Sequence, residues 1–403
     1  MKKVMDPAPP TLTRRQRLAV RAAFLAGGLV AFAVGLPALH VDAADLEARG
    51  GASDDVQRRR RHLVRRMREG GVRPADIGTT HELFKGEYAF GTYAMTGYAL
   101  TNIALDAPET RAEALEVLDL LLDELMTPAL AGFDAGQWGA PALATLDEDR
   151  GRVAYLGHLN LLLGARRLLG GDASRDDLHG RVTATLARRM RARPHRHVET
   201  YPRETYTMDN VVAVASLEVA DRVRGTDHRP LIDEWVAYTR ARLLDPTTGL
   251  IVFAVDEETG APRQRGRGSA AGWASFFLPM FDLAFAREQW AAARVHLAGR
   301  LGPFAGLREY HPDDPNAGWG DIDSGPVLVW GVSATGFAIA GARRHGDRDL
   351  LAGQLALAEL FGVSRDEGDE RRYVAAPLLG EAILLCMKTA RPWWDGMGQR
   401  RSP

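Results

Sequence analysis

The sequence has very little cysteine and no overall excess of either charge. Its 403 residues include one cysteine, Cys386, which lies in an apolar run. An intrachain disulfide is therefore excluded, and we predict a buried, inert thiol. The formal net charge is −1, so no overall field attracts nucleic acid and no nucleic-acid partner is expected.

Common cofactor and metal signatures are also missing. The sequence contains no zinc-ligand pattern, no phosphate-binding loop and no Gly-x-Ser-x-Gly. We therefore predict neither a cofactor nor a metal. One alternative stays open, an irregular cation site at Asp321 and Asp323, because carboxylates two residues apart can point the same way in an extended loop.

The beginning of the chain is typical of an export signal. A basic segment ending at Arg21 precedes an uncharged stretch at residues 22–39, and the small residues Val41 and Ala43 follow. This order predicts that residues 1–44 are either a cleaved signal peptide or an uncleaved membrane anchor. In both cases the rest of the chain is exported. It would be secreted or periplasmic after cleavage, or anchored to the membrane and facing outward.

Beyond residue 50 the pattern predicts about twelve helices of two alternating kinds. Amphipathic segments, with apolar residues at helical spacing, occur near residues 53–70, 108–126, 174–193, 229–243, 286–300 and 348–362. Between them lie segments with little or no charge, at residues 88–104, 153–165, 211–217, 270–284, 326–342 and 375–388. A helix that is apolar all round must be surrounded by protein.

This alternation predicts an all-α (α/α)6 toroid for residues 45–403, a single domain with six inner and six outer helices. Small residues such as Gly97 and Gly157 would let crowded inner helices approach closely. The alternative is an open helical array. The β-branched segment at residues 249–255 predicts one short strand or hairpin insertion.

In such a toroid the inner helices run parallel, so their N-terminal ends meet in one funnel. Unusual polar residues cluster at these helix starts, and Glu87 is among them. The candidate catalytic residues are Asp209, Asp321, Asp323, Glu204 and His158. The candidate substrate-binding residues are Tyr88, Tyr155, Tyr201, Tyr206, Asn210, Arg265, Arg267 and Trp273.

Several of these residues also have a purely structural interpretation. Asp209 could favour the first turn of its helix through the dipole, and His158 could be a hydrogen-bonded core histidine. The sequence from Ser324 to Pro326 is typical of a helix start. Glu309 is predicted to lie in a solvated loop.

Residues 201–216 resemble a segment of the linalool dehydratase-isomerase-like proteins. The family's Pro, Glu and Asp-Asn pair are matched by Pro202, Glu204, Asp209 and Asn210. Its two functional cysteines are absent, and Arg203 and Ser216 stand near their places. His158 lies upstream at a distance similar to that of the family's catalytic histidine. The resemblance implies the toroid fold, whereas the missing thiols speak against the family's dehydratase chemistry.

Three functional hypotheses follow. The first is an exported carbohydrate-active enzyme that acts on a saccharide, with Asp209 and either Asp321 or Asp323 as the paired carboxylates; Arg265 and Arg267 would bind an acidic sugar. The second is a lyase or isomerase acting on a small alcohol or terpenoid, through acid–base steps at His158 and Tyr155. The third is a non-catalytic envelope protein that binds a small-molecule ligand or a partner.

Overall fold

The computed structural model describes residues 13–36, 41, 43–46, 50–321 and 324–399. Its first helix, α1 (Arg14–Gly35), begins at a capping box in which Thr13 and Gln16 satisfy each other's backbone. Within the described ranges, no helix is long and apolar enough to cross a membrane. The region predicted to hold a cleavage site lies partly outside them, so signal peptide and anchor both stay predictions.

Six helices form a closed inner ring. They are α3 (Glu82–Asp106), α6 (Val153–Leu168), α8 (Thr207–Arg224), α10 (Gly268–Phe281), α12 (Val332–Arg344) and α14 (Leu378–Lys388). Each packs against the next in this order, and α14 returns to α3. Between Val153 and Arg166, every residue of α6 except Ala154 is buried, as expected for a helix surrounded by protein.

Two glycines permit the closest approaches in this ring. A Cβ placed on Gly97 of α3 would lie 2.4 Å from a methyl carbon of Leu162 on α6. One on Gly157 of α6 would lie 3.2 Å from the backbone nitrogen of Ala213 on α8. A larger residue at Gly97 would have to displace the Leu162 side chain, and one at Gly157 would press on the backbone of α8, so glycine allows both helix pairs to pack closely.

Six amphipathic helices form the outer ring. They are α2 (Asp54–Arg68), α4 (Arg111–Leu125), α7 (Asp176–Ala192), α9 (Arg229–Arg242), α11 (Leu283–His296) and α13 (Arg348–Gly362). On α4, Leu118, Leu121 and Leu122 are fully buried, whereas the side chain of Glu116 is 66% exposed. Each buried leucine stabilises the fold by roughly 1.5–3 kcal/mol. The predicted toroid of six inner and six outer helices is confirmed, with one further helix, α5 (Pro128–Trp138).

The prediction of one strand or hairpin was incomplete. A three-stranded sheet joins β1 (Thr205–Tyr206), β2 (Ala254–Val255) and β3 (Pro262–Gln264) in that order. Three antiparallel hairpins accompany it: β4 (Ala298–Leu301) with β5 (Phe304–Leu307), β6 (Pro326–Val327) with β7 (Trp330–Gly331), and β8 (Ser364–Glu367) with β9 (Glu370–Tyr373).

The hairpin of β6 and β7 also corrects a predicted helix start. Pro326 lies in β6, and α12 begins only at Val332. Trp330 in β7 is 1% exposed because it packs against Phe304 and Leu357. This tertiary contact holds the segment as a hairpin where the local sequence favours a helix start.

The C-terminal ends of the inner helices close the opposite side of the ring. Lys388, the last residue of α14, forms ion pairs with both Asp45 and Asp55, and Asp55 also pairs with Arg59. We call these four residues the Lys388 cluster. Nearby, Cys386 is fully buried as predicted, and burial raises the pKa of its thiol.

Candidate functional site

The N-terminal halves of all six inner helices border one cavity of about 1210 Å³. This follows from the parallel arrangement of the inner ring. The cavity wall includes one residue from each of these helices in turn: Glu87, His158, Asp209, Trp273, Ser333 and Ile383. The cavity exceeds the ~300–1,000 Å³ typical of sites for drug-sized ligands, so it has room for a ligand of several rings.

One side of the cavity carries three carboxylates, Glu87, Glu204 and Asp209, which we call the carboxylate wall. Glu87 lies in the second turn of α3, and Asp209 lies in the first turn of α8. Glu204 follows a tight turn in which Arg203 has a φ of 67°, and it pairs back with Tyr201 in an antiparallel bridge. The turn therefore places Glu204 beside the two helix starts.

A hydroxyl group donates to each member of the carboxylate wall. Tyr201 donates to Oε1 of Glu87, and Tyr206 donates to Oε2 of Glu204 at 2.9 Å. The hydroxyl of Thr200 lies 2.6 Å from Oδ2 of Asp209. These neighbours hold the acid groups in place along the cavity.

The environment of Asp209 keeps its carboxyl near its titration point. Burial raises the pKa of Asp209 to about 6, although the hydrogen bond from Thr200 acts in the opposite direction. Burial, then the charge and hydrogen bond of Glu87, and then the charge of Asp209 raise the pKa of Tyr201. The Tyr201 phenol therefore stays protonated. Tyr201 contacts Glu87 and the preceding residue, Thr200, contacts Asp209, so two consecutive residues bring these carboxyls to the same part of the cavity.

A second set of polar side chains surrounds Arg267, which also borders the cavity. Its guanidinium lies 3.3 Å from Oε1 of Glu309 and 3.2 Å from Oδ1 of Asp321, and it stacks 3.5 Å above the ring of Phe253. Arg267, Glu309 and Asp321 are called the Arg267 cluster below. Because both neighbours are acidic, the positive charge of Arg267 is already balanced.

The prediction that Glu309 lies in a solvated loop was wrong. Glu309 is 1% exposed. The backbone N–H and the hydroxyl of Ser269 donate to its two oxygens at 3.0 and 2.6 Å, so the buried carboxyl has hydrogen-bond partners. Burial and the charge of Asp321 raise the pKa of Glu309 to about 7, against the effect of Ser269 and Arg267. No local sequence signal shows this burial, because it depends on the start of α10.

His158 lies at the apolar side of the cavity. Its Nδ1 is 2.8 Å from the hydroxyl of Tyr98, and its ring packs edge-on against Trp273 at 5.5 Å. Burial lowers the pKa of His158 to about 3, so the ring is neutral at physiological pH. Trp273 also donates from Nε1 to the carbonyl of Met208 at 3.2 Å.

Most of the predicted binding side chains reach the cavity, but three do not. Tyr88, Tyr201, Tyr206, Arg267 and Trp273 border it, together with the predicted catalytic residues Glu204, Asp209, His158 and Asp321. The other predicted catalytic aspartate, Asp323, lies outside the described residues.

The three remaining candidates form structural contacts instead. Tyr155 donates to the carbonyl of Leu125 at 3.1 Å. Asn210 bonds both the N–H and the carbonyl of Val198, and Arg265 forms an ion pair with Asp245 at 2.8 Å. Each of these partners comes from another part of the fold, so the sequence pattern alone could not exclude these side chains.

Sequence reasoning placed Glu87 among the polar residues of the funnel without a role, and it missed Thr200 and Tyr98 altogether. It assigned no role to Glu87, Thr200 or Tyr98, which contact Tyr201, Asp209 and His158 respectively. Glu87 had a usable signal, because it is the last charge before the uncharged segment at residues 88–104. Across the described parts of the chain, no group of three or more His, Cys, Asp or Glu residues is arranged to hold a metal ion.

The ring of paired helices defines the protein as an (α/α)6 toroid. No family model matches the chain. Among solved structures, it is similar to the GH76 α-mannanase of Bacteroides thetaiotaomicron, with a TM-score of 0.46, 12% identity, and coverage of 74% of this chain and 84% of that chain.

Two further solved structures are similar. One is a glycoside hydrolase from family 105 of C. acetobutylicum, with a TM-score of 0.48, 12% identity, and coverage of 74% of this chain and 92% of that chain. The other is an unsaturated glucuronyl hydrolase of a Bacillus species, with a TM-score of 0.48, 12% identity, and coverage of 73% and 84%. None of the three adds to the resemblance to the linalool dehydratase-isomerase-like proteins.

Proposed function

We propose that this protein is a carbohydrate-active enzyme that cleaves a glycosidic bond by acid–base catalysis in the cavity. The observation that carries the proposal is the carboxylate wall. It holds Asp209, whose carboxyl is partly protonated near neutral pH, beside Glu87, which is hydrogen-bonded by a phenol. Glycoside cleavage needs one protonated and one ionised carboxyl on either side of the scissile bond.

Asp209 is assigned the role of general acid. With a pKa of about 6, it has a protonated fraction near neutral pH and can lose its proton readily, which is the balance that a general acid requires. Glu87 is assigned the role of base or nucleophile, because it borders the cavity beside Asp209 and the hydrogen bond donated by Tyr201 holds it in place.

This assignment replaces the pairing of Asp209 with either Asp321 or Asp323 that the sequence suggested; Asp323 lies outside the described residues. Asp321 contacts the guanidinium of Arg267 at 3.2 Å, so it has a charge partner in the Arg267 cluster. Glu87 and Asp209 accept hydrogen bonds from the consecutive residues Tyr201 and Thr200, which places them on the same part of the cavity wall. Aromatic side chains along the cavity, including Tyr88, Tyr206 and Trp273, provide the apolar faces on which sugar rings stack.

A glycan panel tests the proposal. Purified protein is incubated with neutral, amino and acidic oligosaccharides, and new reducing ends are measured. Asp209→Asn and Glu87→Gln are each expected to lower kcat by about 10²–10⁴-fold, while both should keep the fold. The matched control is Asp177→Asn on α7, an acid whose side chain is 87% exposed on the outer ring. If Asp209→Asn cleaves the panel as well as the parent, the proposal fails.

We further propose that residues 1–44 direct export of the enzyme. The support is the order of basic, uncharged and small residues in the sequence. Fractionation of expressing cells, followed by N-terminal sequencing of the protein, separates a cleaved signal from a retained anchor. Full-length protein confined to the cytoplasm would contradict export.

A second candidate is a lyase or isomerase on a small alcohol or terpenoid. One observation favours it: His158 is neutral, contacts Tyr98 and lies among aromatic side chains. In this candidate mechanism Tyr98, rather than Tyr155, is the tyrosine that acts with His158. Incubation with tertiary terpene alcohols, followed by gas chromatography, tests this candidate. Dehydration or isomerisation that His158→Asn abolishes and Asp209→Asn leaves intact would favour it over glycoside cleavage.

A further inference from the structure

The charged side chains of the cavity are unevenly distributed. Among the described residues, its wall includes five carboxylates and only two guanidinium groups. The carboxylates are Asp76, Glu87, Glu204, Asp209 and Asp321, and the guanidinium groups are Arg66 and Arg267. No lysine lines it. The imbalance is local, because the whole chain has a formal net charge of only −1.

One of the two guanidinium groups of the cavity, that of Arg267, already has acidic partners. Arg267 lies within 3.3 Å of Glu309 and 3.2 Å of Asp321, and its flat face covers Phe253. Arg265, the other arginine suggested for an acidic sugar, pairs with Asp245 and does not border the cavity. A carboxylate that binds Arg267 would have to displace an existing acidic partner.

The charged groups that act on the phenol of Tyr206 are acidic. After burial, the pKa of its phenol is raised by the hydrogen bond and charge of Glu204 and then by the charges of Asp209 and Glu87. All of the neighbouring charges that affect it most are therefore negative. Tyr206 lies in β1 and borders the cavity.

The helix N-termini at this end act in the opposite direction, because their partial charges are positive. At two of these helices acids already meet that charge. Asp209 occupies the first turn of α8, and Glu309 accepts the backbone N–H of Ser269 at the start of α10. The dipoles therefore help to hold the protein's own acids and contribute less to an added anion.

We infer that the cavity favours an amino sugar that carries a cationic ammonium group over its neutral counterpart, and that it rejects a uronic acid. This inference rests on the proposed carbohydrate-cleaving function and specifies its substrate class. An ammonium group beside the carboxylate wall gains an ion pair, whereas a uronate meets like charge. Partly exposed ion pairs of this kind change affinity by about 1.4- to fivefold.

The test uses two sets of probes matched in shape and different in charge. The first set is para-nitrophenyl glucosaminide, glucoside and glucuronide, each as both anomers. The second set is phenethylamine, phenethyl alcohol and phenylacetate, which lack a sugar. Binding is measured by calorimetry at low salt and again at ~1 M NaCl, where the Debye length falls to about 3 Å.

Two variants locate the effect. Glu204→Gln removes one charge of the carboxylate wall and keeps an oxygen acceptor for Tyr206. Asp177→Asn removes the same charge from an exposed position on the outer ring. We expect affinity to fall from ammonium to alcohol to carboxylate in both sets. The difference in affinity between the ammonium and carboxylate probes should become smaller in Glu204→Gln and at high salt. It should stay unchanged in Asp177→Asn.

The outcomes separate this inference from the proposed function. If glycosides bind without this order, or if the glucuronide binds most tightly, the inference is overturned while the carbohydrate-cleaving function stands. If the phenethyl probes show the order but no glycoside binds, the proposed function falls and the amino-sugar assignment falls with it. If the difference between the ammonium and carboxylate probes is the same in Glu204→Gln as in the parent, the carboxylate wall is not its source and the inference is again overturned.

Discussion

The two ends of the inner ring shift the pKa of buried acids in opposite directions. The open end is the one with the cavity and the carboxylate wall, and the closed end is the one with the Lys388 cluster. At the closed end, burial alone would raise the pKa of Asp55, but Lys388 and Arg59 outweigh it and lower that pKa. At the open end, burial raises the pKa of Asp209 to about 6, and its hydrogen-bond donor is the neutral hydroxyl of Thr200. The closed end thus stabilises ionised carboxylates, while the open end keeps one between its two protonation states.

This difference separates structural from functional charge within one fold. Parallel inner helices place cations favourably at their C-terminal ends and acids favourably at their N-terminal ends. Lys388 follows the first preference and Asp209 the second. The closed end provides oppositely charged partners for Lys388 and Asp55, whereas Asp209 has no cation among the main influences on its pKa. Groups held near their titration point are more typical of functional sites.

The largest expected effect breaks the closed end. Lys388→Met leaves Asp45 and Asp55 buried without their ammonium partner, and it should lower the free energy of unfolding by about 3–5 kcal/mol. Urea denaturation at neutral pH measures the loss. Lys85→Met is the matched control at the open end, where Lys85 pairs with the exposed Glu82; its cost should be ~1 kcal/mol or less. An equal loss of unfolding free energy in Lys388→Met and Lys85→Met would contradict the proposed difference between the two ends.

The same substitution at the two ends should change stability in opposite directions. Asp209 has a raised pKa, so its ionisation costs stability in full above pH 6; the cost declines as the pH falls below about 6 and is gone below the unfolded-state value of 3.8. Asp209→Asn should therefore stabilise the protein at pH 8 by about 1–2 kcal/mol.

Asp55 has a lowered pKa, so it contributes stability above its unfolded-state pKa, and that contribution is lost at low pH. Asp55→Asn should destabilise the protein at pH 8. Thermal unfolding of both variants across pH measures the two effects. Effects of the same sign would refute the comparison.

A smaller change tests the control of Asp209 by its neighbour. Thr200→Val removes the hydrogen bond that lowers the pKa of Asp209, so that pKa should rise by about one unit. If Asp209 is the general acid, the high-pH limb of the activity profile moves upward by the same amount. Thr183→Val, which loses a bond to Asn160 away from the cavity, should leave the profile in place. A shift in both variants would point to a general structural effect.

The smallest effect separates tyrosines of the cavity from those of the core. Tyr155→Phe loses one hydrogen bond to Leu125 and should cost about 0.5–1.5 kcal/mol of stability without changing ligand affinity. Tyr201→Phe, in contrast, removes the donor to Glu87 and should weaken binding. Urea denaturation and ligand binding measured on both variants test this difference. Reduced affinity in Tyr155→Phe would show that Tyr155 belongs to the site.

Periodicity and charge alone predicted most of the fold. The alternation of uncharged and amphipathic segments assigned each helix to its ring, because the side chains of an inner helix meet protein on every side. The parallel inner ring then located the cavity. The hairpins were less predictable: β6 and β7 depend on Trp330 packing against Phe304 and Leu357, a contact between segments distant in the chain.

The sequence by itself determined the ring, its orientation and the end at which polar residues gather. Only the tertiary structure decided which of these residues form the site. It paired Glu87 with Tyr201, buried Glu309 against Ser269 and directed Arg265 toward Asp245. The physical reason is that helical periodicity is a local property, whereas the partner and the pKa of a polar side chain depend on groups brought together from the whole chain.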